Sequence, residues 1–195
     1  MKPSMHWPVV LISVLALLGL AVVVAKQRAH SKSGSVLPKS ANPMPELRAK
    51  VFATDPKELG LAPSEKRPHV WGVVMEIGYP QATASLVALG EGTVSLYFST
   101  GGGVIGAGEH AYVRQEAAKL IDAGEGYLDQ LSPTTNFSLP QAERVRFYIL
   151  TFSGPVTADA AESDLAGGKH PLSQFYMMGQ NVITEIRQIS QHPGK

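Results

Sequence analysis

Residues 99–110, Ser-Thr-Gly-Gly-Gly-Val-Ile-Gly-Ala-Gly-Glu-His, hold the groups of this chain best suited to meet a ligand. Five of the eight residues from Gly101 to Gly108 are glycine. A backbone of that composition either turns very tightly or lets another group approach it closely. Placed between a strand and a helix, it offers free amides at the helix start, with the Ser99 and Thr100 hydroxyls beside them, to a phosphate or carboxylate. The expected ligand-binding residues are Ser99, Thr100, Gly101, Gly102, Gly103, Gly106, Gly108, Glu109 and His110. Glu109 opposes an anion, because its charge already stands at the positive pole of the helix. The structural reading is a loop whose glycines serve tight packing and positive φ.

As a string, Gly101-x-Gly103-x-x-Gly106 meets the dinucleotide fingerprint. Its context does not. The preceding strand alternates Val94, Leu96 and Phe98 with Ser95, Tyr97 and Ser99, as a half-exposed antiparallel strand does, whereas the first strand of a dinucleotide fold is buried on both faces. The helix starts after Gly108, and the next strand ends without the carboxylate that would hold a ribose. No cofactor is implied.

The other chemically capable residues form no catalytic constellation. There is no cysteine, which excludes disulfides, thiolate metal sites and cysteine nucleophiles. Glu109, His110 and His170 would converge if two helix starts shared one sheet edge, but His69, His110 and His170 fit no metal-ligand spacing. His110 and His170 read as capping-region residues. No nucleophile elbow, P-loop or kinase signature occurs. Asp159, Glu162 and Asp164 lack calcium-loop spacing and read as a solvated loop. Arg144, Arg146 and Tyr148 share one face of a strand and read as solvated too.

The positioning elements follow from periodicity. Residues 46–61 read as a short helix with the stripe Leu47, Val51 and Phe52. A turn capped by Asp55, opened by Pro56 and ended by Gly60 completes this piece. Strands fall at 70–78, 82–89, 93–100 and 144–152, the first three joined by short Gly- or Pro-marked turns. A helix over 109–131 buries Val113, Ala117, Leu120, Ile121, Leu128 and Leu131; the last helix buries Leu172, Phe175, Val182, Ile186 and Ile189. Gly124 and Gly126 weaken the first, pointing to a close crossing or an early break. The expected fold is α+β: an antiparallel sheet of about four strands, with two to three helices packed on one face. The element order αβββαβα is similar to small sensory and docking domains of the profilin-like or roadblock-like kind, which place a different number of strands after the central helix.

Ahead of this domain (46–195) lie two other segments. Residues 7–25, from Trp7 to Ala25, carry no charge over 19 positions, enough for a helix to span a hydrocarbon core of roughly 30 Å. This predicts a single-pass membrane anchor within 1–25; the alternative is a cleaved signal sequence ending at Val23-Val24-Ala25. Residues 26–45 read as a flexible basic linker with four serines and three prolines. Lys26, Arg28 and Lys32 outnumber Lys2 and the amino terminus by one charge, which favours a cytoplasmic domain. Twelve of the seventeen Lys/Arg and all sixteen Asp/Glu lie from Glu46 onward, a net charge of −4. That balance leaves no basic footprint for nucleic acid. The expected function is a non-enzymatic, membrane-anchored interaction or sensory domain with a protein partner. The alternatives are an enzyme or anion binder using the Gly-rich loop, and a structural subunit of an envelope complex.

Overall fold

Apolar stretches separated by glycine and proline pair with one another largely in sequence order. A computed structural model describes residues 35–37 and 42–191. Its strands are β1 (Ser35–Leu37), β2 (Val70–Tyr79), β3 (Ala82–Leu89), β4 (Val94–Phe98), β5 (Gly103–Ile105), β6 (Ser132–Pro133), β7 (Arg144–Thr151) and β8 (Gly154–Ala161). They form one sheet in the order β1-β5-β4-β3-β2-β7-β8-β6. Every neighbouring pair is antiparallel. The α-helices are α1 (Met44–Ala53), α2 (Ala111–Gly124), α3 (Glu162–Ala166) and α4 (Ser173–Gln191).

The α+β class and the antiparallel sheet hold. The expected strand count of about four does not, since eight strands are present among the described residues. β5 is three residues hidden inside the Gly-rich segment. β8 stands where the sequence predicts an acidic loop, because small and polar residues mask its alternation; Ala160 is buried while Val156 and Ala158 pack against the core. β1 and β6 are too short to leave a periodic trace. β1 and the first residues of α1 also lie within the stretch read as linker. The anchor expected at 7–25 lies outside the described residues. Among those described, no helix is long and apolar enough to cross a membrane.

Four α-helices replace the expected two to three, the addition being the short α3. The helix expected over 109–131 is α only through Gly124 and continues as a 3-10 helix, Glu125–Gln130. The cause is a close crossing: a Cβ on Gly124 would stand 3.3 Å from Val70 Cγ1. Helices α2 and α4 cover one sheet face. There Val73, Met75, Leu86, Leu96, Phe147 and Ile149 bury against Val113, Leu120, Ile121, Phe175, Val182 and Ile186.

Helix α1 covers the opposite face, so the helices are not confined to one side. Its stripe Leu47, Val51 and Phe52 packs on Trp71, Val74, Val87, Tyr97 and Tyr148, as the periodicity demands. The turn behind it is built as its sequence implies. Asp55 Oδ1 accepts the Lys57 N–H at 2.9 Å, Pro56 opens the turn and Gly60 ends it at φ 71°.

Candidate functional site

The Gly-rich segment is a hairpin with a tight exit. Phe98 N–H donates to Gly102 O at 3.2 Å and Gly101 N–H to Phe98 O at 2.9 Å, closing a turn that needs Gly101 at φ 91° and Gly102 at φ 81°. Gly103 then runs so close to β4 that a Cβ would collide with the Leu96 carbonyl oxygen. Gly106 turns at φ 73° into a 3-10 turn, Ala107–Glu109. A Cβ on Gly108 would collide with the Gly92 carbonyl. Ser99 is engaged as well: its Oγ accepts the Thr83 N–H at 2.7 Å, and its N–H donates to Thr83 O at 2.9 Å. Thr100 is exposed at the turn. His110 occupies the N-cap position of α2 without a side-chain cap bond. Backbone geometry therefore accounts for the glycines.

A cavity of about 230 Å³ does adjoin this hairpin, where Glu91, Glu109 and Arg114 surround Gly92, Gly106 and Gly108. Two carboxylates meet one guanidinium there, and Arg114 Nη1 already donates to Gly108 O at 2.8 Å. That balance repels an anion.

A second opening, also about 230 Å³, lies between α1 and the β3-β4-β5 half of the sheet. Leu47, Val51 and Leu59 form one wall; Val87, Leu89 and Ile105 belong to the other. Ser95 and Tyr97 line it from β4, while Lys50 and Glu91 bring one charge of each sign. Ser95 and Tyr97 are only 4% and 2% exposed. Neither hydroxyl hydrogen-bonds to another described residue, and both residues belong to the lining of the groove. Burial pushes the Tyr97 phenol well above its usual value, the Glu76 charge adding to the effect and Arg48 opposing it. It stands in the groove as a protonated donor.

The groove owes its opening to how α1 is pinned. Arg48 makes a two-pronged bond to the fully buried Glu76 of β2, Nε to Oε1 at 2.7 Å and Nη2 to Oε2 at 2.9 Å. Ser85 Oγ donates to the same carboxylate at 2.8 Å. Phe52 stacks on Phe137 at 4.3 Å and meets Tyr148 edge-on at 4.8 Å. The contacts with Glu76 and Tyr148 fall on β2 and β7 and that with Phe137 on the loop before β7, while the groove lies toward β3, β4 and β5. None of Arg48, Glu76, Ser85, Ser95 and Tyr97 was singled out from the sequence. A signal existed: Glu76 is the one ionisable group inside the apolar run VWGVVMEIG. Buried charge of that kind demands a partner.

The remaining candidates serve local structure. Glu125 Oε1 accepts the N–H groups of His69 at 2.9 Å and Val70 at 2.7 Å, and Oε2 meets His69 Nδ1 at 3.0 Å. His170 Nδ1 accepts the Leu172 N–H at 3.1 Å ahead of α4. Arg144, Arg146 and Tyr148 are not a solvated face. Both arginines pair with Asp159, and Tyr148 is fully buried, its hydroxyl donating to Ser138 O at 3.1 Å. Asp159 thus lies in a strand and is paired, not in a solvated loop. Among the described residues, no three His, Asp or Glu side chains are grouped to hold a metal ion.

No protein-family description, no curated protein and no solved structure matches this chain.

Proposed function

We propose that the α+β unit is a non-enzymatic binding domain of sensory type, carried on a single-pass membrane anchor at residues 7–25, and that its ligand site is the groove beneath α1. The observation that carries this reading is the pair of hydroxyl-bearing residues Ser95 and Tyr97, 4% and 2% exposed, in the lining of a largely apolar groove. Their hydroxyls have hydrogen-bonding capacity that water or a ligand in the groove can complete. Pockets of this make-up, apolar with a few convergent polar groups, are the usual form of small-ligand sites. By contrast, the carboxylates and guanidinia elsewhere are largely spent in pairs that hold elements together. The uncharged stretch at 7–25 supports the tether, and the Lys26, Arg28 and Lys32 cluster favours a cytoplasmic face.

Residues Gly34–Lys195 form one compact unit that contains both cores, so they serve as a soluble test fragment. A thermal-shift screen of small apolar and amphiphilic molecules against this fragment tests the reading. At 100 times its dissociation constant, a ligand stabilises by about 2.7 kcal/mol, a rise of several degrees. Val51→Trp, which fills the groove from its helix wall, should abolish every such rise while leaving the fold intact. Rises that survive Val51→Trp would place the site elsewhere.

A further inference from the structure

We infer that the groove takes a neutral, largely apolar molecule, a ring bearing a short alkyl chain or one of equal size, with a single oxygen that meets the Ser95 and Tyr97 hydroxyls. The inference rests on the groove reading above and adds the ligand's chemical class.

Three observations define that class. The first is size: about 230 Å³ exceeds the cavity of roughly 150 Å³ that takes benzene, leaving room for a few further carbons. The second is the polar inventory. Two hydroxyl-bearing residues of the lining, Ser95 and Tyr97, alternate along β4 and are each 4% exposed or less. Two such donors suit one shared acceptor oxygen. The third is charge. Glu76, which shares a sheet row with Tyr97 through Ser85, is already taken by Arg48 and Ser85. The lining brings one charge of each sign, Lys50 and Glu91, and so no net charge to favour an ion of either sign. A neutral molecule avoids the cost of burying a charge.

The 34–195 fragment is titrated with 4-propylphenol, propylbenzene and octanoate, following backbone amide shifts by NMR and affinity by calorimetry. The inference expects 4-propylphenol to shift the Val51, Ser95 and Tyr97 amides and to bind roughly three- to tenfold tighter than propylbenzene, the effect of one added hydrogen bond. Tyr97→Phe and Ser95→Ala should each reduce that preference without changing the affinity for propylbenzene. Two substitutions are used so that loss of folding in one leaves the other informative. Equal affinity for propylbenzene and 4-propylphenol overturns the oxygen recognition and leaves the groove as a purely apolar site. Tighter binding of octanoate overturns neutrality. Silence of the groove amides with all three compounds overturns the ligand class and the groove reading together.

Discussion

Arg48 of α1 and Glu76 at the centre of the sheet are 28 residues apart in sequence, yet they meet as a buried, two-pronged ion pair at 2.7 and 2.9 Å. The pair joins the first helix to the middle strand on the face opposite α2 and α4. Arg48 also lies over the Phe52 ring, 4.9 Å from its centroid, so helix, ion pair and aromatic cluster form one attachment. This attachment makes the second sheet face an interior, with the groove left along its margin.

Arg48→Met should be among the more damaging single substitutions, because it strands a fully buried carboxylate. Breaking such a pair costs about 3–5 kcal/mol, whereas replacing both partners by apolar groups is often near neutral. Arg48→Met with Glu76→Met should therefore be more stable than Arg48→Met alone, as read from urea midpoints. A double variant less stable than the single one would show that the pair contributes net stability.

The glycines should divide by geometry. Gly108→Ala drives a methyl into the Gly92 carbonyl, and Gly103→Ala drives one into Leu96 O at φ 142°. Each should cost about 1–3 kcal/mol or more, with or without any ligand. Gly126 has open space around its Cβ position, and Gly126→Ala should stabilise by about 0.4–1 kcal/mol. Thermal unfolding of the three variants checks the order, and an innocuous Gly108→Ala would refute the close approach.

Acid should loosen the link between β2 and the end of α2. Burial works to raise the Glu125 carboxyl, but the Val70 and His69 N–H groups and the His69 ring outweigh it and hold it below its usual 4.5. A depressed folded value stabilises fully above the unfolded value and loses that stability as pH falls through the folded one. Glu125→Gln should therefore be clearly less stable than the native domain at pH 7, the gap narrowing below about pH 4.5. Denaturant titrations at pH 7 and pH 3 measure it; a gap unchanged between them would contradict the assignment.

Much of the fold was legible because its signals are local. The Asp55-Pro56-Gly60 turn, the stripes of α2 and α4, and strands β2, β3, β4 and β7 all follow from spacing and punctuation. What escaped depended on distant partners. Ser95 and Tyr97 alternate with apolar residues as a wet face would. Only the docking of α1, some fifty residues earlier, turns that face inward and makes β4 buried on both sides. Glycine composition, not alternation, marks the Gly-rich segment as a ligand loop, and in the fold Gly103 and Gly108 also answer to the carbonyls of Leu96 and Gly92. Composition marks where the backbone is unusual. It does not say whether a ligand or another strand is the reason.

The most direct test of the central claim is to map where small apolar molecules act on the 34–195 fragment, by backbone amide shifts in the presence of 4-propylphenol. The account predicts changes concentrated at Val51, Val87, Ser95 and Tyr97 and removed by Val51→Trp. Changes centred instead on Gly106, Gly108 and Glu109, or spread without focus, would contradict the assignment of the groove beneath α1 as the binding site.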